Sequence, residues 1–378
     1  MSSSFDYQTQ QHAVRQLGAC LKGGTIVETP FDLPVDLEQQ GDLDQTDDAA
    51  KFSSADPALV ACEELPSGKK DISDIQFKQR LEFFLDGSLR TKFICEYIHG
   101  ATSFPILATD LLCAVVNKRG RSLRPHHVEK RIAFIFPEKA QFPAKELVED
   151  LEQLNKRWIK ERVPLRTAFL SEREFPDTRN SMLGKARECM HRLEHRVAAQ
   201  RLELGDKWLV MDGSIRKEEF LQLENTIGVA KSFSPKPIFD LGGNERRLSI
   251  ASYLSRIGVG ERSAVFTKDR DVAFWYVRLR NFPPMEPLGG IVKIDFSLKQ
   301  HQLSGDRMLP EQVLQLIEEL SAEIYANRTP SIYPYPRWPS FLYPIRLAEQ
   351  MMRSNYTNVD VIGLYGKQLK QGIMRGVD

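Results

Sequence analysis

Two phrases in this chain put a carboxylate on an apolar run: FFLDGSLR at 83–90 and LVMDGSIR at 209–216. In each, an Asp (Asp86 or Asp212) is followed by Gly-Ser, an aliphatic residue and Arg. A strand-borne Asp beside a glycine suits work on a hard cation. The strand holds the oxygen ligand rigidly, and the glycine lets a ligand or another backbone come close. An Asp-Gly pair is equally the signal of a plain turn. The two aspartates stand 126 residues apart, so only tertiary structure could unite them. Two further groups lie in order with them. Glu194 sits in RECMHRLEHRVAAQ, and Lys231 follows the apolar run TIGVA. A Lys there could hold a phosphate as a point charge, or simply face solvent.

These groups need elements to position them. LEFFLD, TKFICEYI and ILATDLLCAVV read as a meander of three β-rich runs separated by DGS and HGATSFP. IAFIFPE (132–138) suits a short buried strand or part of an insertion, 144–162 a charged amphipathic helix, and 165–171 another strand. A long helix is expected from about Thr178 to Leu204. Leu183, Ala186, Met190, Leu193 and Val197 fall on one helical face. At ~100° per residue, Glu194 lies roughly 60° from the centre of that stripe, at its edge, sharing a narrow face with Arg187, His191 and Ala198. WLVMDGS and TIGVAKSF read as strands, with KEEFLQLEN helical between them. After a GGN turn come a short helix (247–257) and strand candidates SAVFT, VAFWYVRLR and GGIVKIDFS. A helix opens after Pro310, and a last one lies near Leu347–Arg353. Mixed strands and helices of this kind make an α/β arrangement around a mixed sheet.

With 378 residues, 42% of them hydrophobic and 27% charged, the chain can bury a sizeable core. Its longest apolar runs, Leu111 to Val116 among them, are far short of a membrane span. The N-terminus shows no secretory pattern. Five scattered cysteines without a C-x-x-C pair argue against a zinc site or disulfide framework and for a reducing, cytoplasmic setting. Residues 1–70 read as an acidic, partly flexible N-terminal extension preceding one domain over 71–378. From Glu28 to Glu64 the local net charge is −10, so the rest of the chain, whose total is +1, carries a net +11. A basic body with an acidic arm suits a protein that meets phosphate backbone, and also suits an ordinary surface beside a solvated linker. The run KRGRSLRPHHVEKR (118–131), with Arg119, Arg121 and Arg124, is a candidate for backbone contact. His126 and His127 are neighbours whose side chains diverge on an extended segment, which favours a surface or phosphate role over shared metal ligation.

Taken in order, FFLDGSLR, RECMHRLEHRVAAQ, KWLVMDGSI and IGVAKSF resemble the NurA nucleases, ribonuclease-H-like and Piwi-related enzymes that work with a HerA-type hexameric DNA-translocating ATPase. The resemblance spans about residues 80–355 and implies a ribonuclease-H-like mixed β-sheet flanked by helices. It implies that Asp86, Glu194 and Asp212 bind Mn²⁺ or Mg²⁺, that Lys231 is catalytic, and that Ser88 is the small neighbour of the first Asp; Ser88 and Arg90, in the same phrase, are candidate substrate contacts. It also implies DNA as substrate, a homodimer, and a role in DNA end processing or anti-phage defence. The family's late Tyr-Pro and short helix are matched by YPIRLAEQMM (343–352), but Met351 stands where the family commonly has a metal-binding His. That leaves Glu349, two residues earlier, or Asp295 as an additional acidic ligand. It also leaves open a catalytically weakened subunit that mainly binds and regulates the ATPase.

Overall fold

The computed structural model describes residues 7–28, 58–65, 67–171, 178–215, 217–234, 237–241, 247–268, 271–281, 288–301, 303, 308–330 and 338–375. Its centre is a large mixed sheet. The long strands are β1 (Leu81–His99), β2 (Thr102–Arg119) and β3 (Ser122–Phe136), followed by β4 (Leu165–Phe169), β5 (Trp208–Asp212) and β6 (Thr226–Ala230). Then come β7 (Val272–Arg278) and β8 (Ile291–Ser297). Across the sheet the order is β7-β8-β6-β5-β1-β2-β3-β4. β1, β2 and β3 form an antiparallel meander, while β5 runs parallel to β1 and β6 parallel to β5. This is the mixed, ribonuclease-H-like arrangement expected. The meander differs from expectation in one respect. DGS at 86–88 does not separate two strands; it lies inside the single strand β1, hydrogen-bonded to β2 throughout. Burial on both faces holds β1 straight through an Asp-Gly that in isolation would favour a turn.

Main-chain pairing decides which side chains share a face, because neighbours along a strand point oppositely. Phe84, Leu112, Ala114 and Val210 pack on one side against Ile345, Ala348 and Met352 of helix α5 (Tyr343–Arg353). Phe83, Leu85, Leu89, Leu209 and Met211 pack on the other against Met190, Leu193 and Val197 of helix α3 (Thr178–Arg201). The remaining helices that matter are α1 (Tyr7–Ala19), α2 (Lys145–Lys160), α4 (Glu311–Ala326) and α6 (Tyr365–Arg375).

Helix α4 fixes the start of β1. The Glu323 carboxylate accepts the backbone N–H groups of Arg80 (2.9 Å) and Leu81 (3.1 Å), and Trp275 donates its indole N–H to Ser321 Oγ at 2.8 Å. Glu323→Leu is therefore expected to orphan two backbone donors, at about 1–3 kcal/mol for each buried one. A lower denaturation midpoint with unchanged m-value would confirm the loss.

The described parts of residues 1–70 are drawn into the body. Ala13, Val14, Leu17 and Leu21 are buried, α1 packs along α6, and Thr25–Val27 pairs antiparallel with the far end of β1. Residues 29–57, most of the acidic stretch, lie outside the described residues. The end of the chain continues past the last expected helix into α6, and α5 itself begins earlier, at Tyr343, with Pro344 in its first turn. No described helix is long and apolar enough to cross a membrane. All five cysteines are free.

Candidate metal centre

Asp86 and Asp212 meet as neighbours on adjacent parallel strands. Leu85 pairs with Met211, so the next residue on each strand stands at the same level of the sheet. Both carboxylates project to the α5 face. The two Asp-Gly-Ser phrases reach this point by different local routes. Asp212 ends its strand, and Gly213 turns the chain at a φ of +103°, a conformation that a side chain would strain. The turn lies close over β6, where a Cβ on Gly228 would stand 2.6 Å from the Gly213 carbonyl oxygen. Gly87, in contrast, is an extended mid-strand residue whose missing side chain makes room for a neighbour.

Helix α5 brings a third carboxylate. One ligand oxygen each from Asp86, Asp212 and Glu349 lie within 4.8 Å of one another. Glu349 is the residue left open as a substitute for the family's His, and it joins the cluster because it follows Ala348, which packs on the core of this face. Met351, in the register of that His, packs against the same apolar cluster and offers no ligand. Asp295 is not part of the group. It neighbours Ile294 and Phe296, which face the α5-side core, so its own side chain points to the opposite face. There it accepts a hydrogen bond from Ser214 at 2.6 Å and pairs with Lys293 at 2.9 Å.

Glu194 approaches from the other side of the sheet. A Cβ on Gly87 would lie 2.1 Å from Glu194 Oε1 and 2.7 Å from Met190 Cε, so glycine leaves the hole through which this carboxylate reaches β1. Glu194 is buried, and its Oε2 is 3.1 Å from His191 Nδ1. It therefore stands behind Asp86, outside the close group of three oxygens.

Lys231, just past the end of β6, spans the cluster. Its ammonium donates to Asp212 Oδ2 at 2.8 Å and Glu349 Oε1 at 3.2 Å, and lies 4.6 Å from the centroid of the Phe341 ring. Arg346 holds the other Glu349 oxygen at 2.9 Å. Burial and then the charges of Asp212 and Glu349 push the Asp86 carboxyl well above the ordinary range. Asp212 is raised less, by burial, with Lys231 pulling it back. Burial alone would lower Lys231, but Asp212, Glu349 and Asp86 more than offset it and raise its pKa. Three oxygen donors held this close, one of them resisting ionisation, are a donor set a hard divalent cation fits.

The other expected site residues fall in two places. Ser88 and Arg90 lie on β1, on the Asp86 face. Ser88 is buried and accepts a hydrogen bond from the Tyr356 hydroxyl. Arg119 and Arg121 sit at the β2–β3 turn, and Arg124 lies just inside β3, paired with Asn117. Asp86 pairs with Ala114, and Asn117, the partner of Arg124, and then Arg119 lie three and five residues farther along β2, so these cations stand roughly 10–20 Å along the sheet from the carboxylates at ~3.4 Å per residue. Arg119 pairs there with Glu82 at 3.1 Å. His126 packs edge-on to Phe83, and His127 lies 3.6 Å from Glu129, so neither approaches the cluster. Tyr356 went unnoticed in the sequence, which offers no local signal that the residue after a helix will return to β1.

A family model, the NurA domain, matches residues 83–354. Among solved structures the chain is similar to the crystal structure of the NurA nuclease from Sulfolobus solfataricus, at 12% identity over 82% of this chain and 92% of that one, with a TM-score of 0.40. No curated protein matches. The family model covers well over half of the sequence, including both Asp-Gly-Ser strands, Glu194, Lys231 and Glu349, and the chain belongs to the NurA family of nucleases.

Proposed function

We propose that this protein is a divalent-metal-dependent DNA nuclease that hydrolyses phosphodiester bonds. The observation that carries the reading is the convergence of Asp86, Asp212 and Glu349 on one sheet face, spanned by Lys231. Asp86, Asp212 and Glu349, with Glu194 behind them, would hold Mn²⁺ or Mg²⁺, which when bound supplies Lewis acidity toward water and the phosphate. The chain's own groups set the rest. Strands β1 and β5 fix two carboxylates without loop freedom, and Arg346 fixes the third. Lys231 keeps a proton at Nζ and can turn that charge toward a phosphate as the carboxylates are otherwise satisfied. We further infer a homodimer working with a HerA-type hexameric ATPase on DNA, in end processing or anti-phage defence, from family membership.

Duplex and single-stranded DNA incubated with the protein should be cut in Mn²⁺ or Mg²⁺ and left intact in EDTA. Cleavage that survives EDTA would overturn the metal-dependent reading. Light scattering of the protein alone, and size-exclusion of a mixture with a HerA-type ATPase, test the assembly. A second reading rests on Lys231 itself. Its ion pairs with Asp212 and Glu349 already neutralise part of the cluster, as in a weakened nuclease that mainly binds the ATPase. That reading predicts a stable complex without DNA degradation at any Mn²⁺ concentration.

Gly87→Ala separates the role of Glu194 from its packing. The new methyl meets the far ends of the Glu194 and Met190 side chains, both flexible enough to swing away, so thermal stability should change little. Displacing the carboxylate by about 1 Å or more is expected to lower cleavage by on the order of 10²-fold. Wild-type rates in Gly87→Ala would show that Glu194 takes no part.

A further inference from the structure

Beyond the carboxylates, the same face of β1 carries a cation, Arg90, that no described carboxylate pairs. Arg90 follows Asp86 by four residues on the same face, about 13 Å farther along the strand. Its guanidinium carbon lies 3.8 Å from the centroid of the Tyr356 ring. No described carboxylate or hydrogen-bond acceptor pairs with Arg90. Asp110, its partner across the β1–β2 ladder, accepts the Thr357 N–H at 2.6 Å and lies 3.5 Å from Lys130. Other half-buried arginines among the described residues are otherwise engaged: Arg131 and Arg196 share Glu129, and Arg80 faces Glu319.

Tyr356 is itself held firmly. Its hydroxyl donates to Ser88 on β1. The segment after α5 that carries it is clamped on both sides. Asn355 donates to the Met351 carbonyl at 2.7 Å, the Asn355 carbonyl accepts from Lys130 at 2.8 Å, and Thr357 is tied to Asp110. A planar guanidinium stacked on an aromatic ring keeps its N–H fork for a phosphate.

We propose that Arg90 and Tyr356 form a phosphodiester receptor beside the carboxylate cluster. Arg90 binds a backbone phosphate of the DNA strand that lies across Asp86, and Tyr356 is the positioning residue that sets the guanidinium plane. The inference rests on the nuclease reading of the site, and its test does not use cleavage. Affinity for a single-stranded oligonucleotide is measured in EDTA by fluorescence anisotropy over a range of NaCl concentrations. One lost phosphate contact lowers the slope of log Kd against log salt by about 0.7 for single strands. Arg90→Gln and Tyr356→Leu should each lose that amount, and the double variant should lose no more than either alone. Tyr356→Phe, which keeps the ring and removes only the hydroxyl, should retain the wild-type slope.

Circular dichroism melts accompany each variant, so loss of fold is read separately. Should Tyr356→Leu fail to fold, Tyr356→Phe and Arg90→Gln still decide. A wild-type slope in Arg90→Gln overturns the receptor, as does additive loss in the double variant. A lost slope in Tyr356→Phe overturns stacking as the positioning contact. A slope change without any metal-dependent cleavage by the wild type would leave the receptor standing and sink the nuclease reading instead.

Discussion

Asp86→Asn is expected to abolish metal-dependent cleavage and at the same time to stabilise the metal-free protein. The two effects share one cause. Burial, and then the charges of Asp212 and Glu349, hold the Asp86 carboxyl well above the ordinary range. An acid whose folded-state pKa is raised binds more protons folded than unfolded. Its ionisation therefore costs stability progressively as pH rises from the unfolded value through the folded one. In EDTA at neutral pH, Asp86→Asn removes that cost, so its melting temperature should exceed the wild type's. The gap should close as pH falls toward the unfolded carboxylate pKa. Added Mn²⁺ should reverse the order. A ligand at 100 times its Kd stabilises by about 2.7 kcal/mol, a gain open to the wild type and reduced or lost in the variant. For catalysis, a bound ion contributes several kcal/mol of charge stabilisation, and each ~1.4 kcal/mol is tenfold in rate. A drop of about 10³-fold or more is expected, and the same for Asp212→Asn. Cleavage within tenfold of wild type in both variants would remove the two aspartates from the chemistry.

The largest stability effect is expected far from this site, at Arg262. Its side chain is fully buried and forks onto Glu63, Nη1 to Oε1 at 2.6 Å and Nη2 to Oε2 at 2.8 Å. Arg262 also donates to the Ser263 carbonyl at 2.8 Å, while Glu63 accepts the Val265 N–H at 2.8 Å. Paired planar groups with further hydrogen bonds of this kind are strong, and a single lysine ammonium cannot reproduce the fork. Arg262→Ala leaves the Glu63 carboxylate buried without its counter-charge, at a cost of about 3–5 kcal/mol. The double change Glu63→Leu, Arg262→Met should recover most of that loss, because it removes both charges together. Urea titrations of the three proteins check the ordering. Glu63 lies at the end of the acidic stretch, so Arg262→Ala should also speed proteolysis near residues 58–65.

Local pattern was enough to read much of the machinery. Alternation and short apolar runs placed Asp86, Asp212 and Lys231 on or just beyond strands. The 3.6-residue period placed Glu194 at the edge of the buried stripe of α3, where it is found. These features depend on residues close in sequence, so one chain suffices to show them. Helix α1 escaped because its apolar residues are few and set among glutamines. Its stability comes from packing on α6, more than 300 residues away.

Tertiary structure decided the rest, since strand pairing and helix docking join segments that local pattern cannot connect. It carried the first Asp-Gly-Ser through the middle of a strand while letting the second end one. It put Glu349 with Asp86 and Asp212, sent Asp295 to the other face, and stationed Glu194 behind Gly87. It set Arg119, Arg121 and Arg124 far along the meander and stacked Arg90 on Tyr356. Periodicity tells which way a side chain points from its own element. Only the packing of elements 126 residues apart tells what stands opposite it.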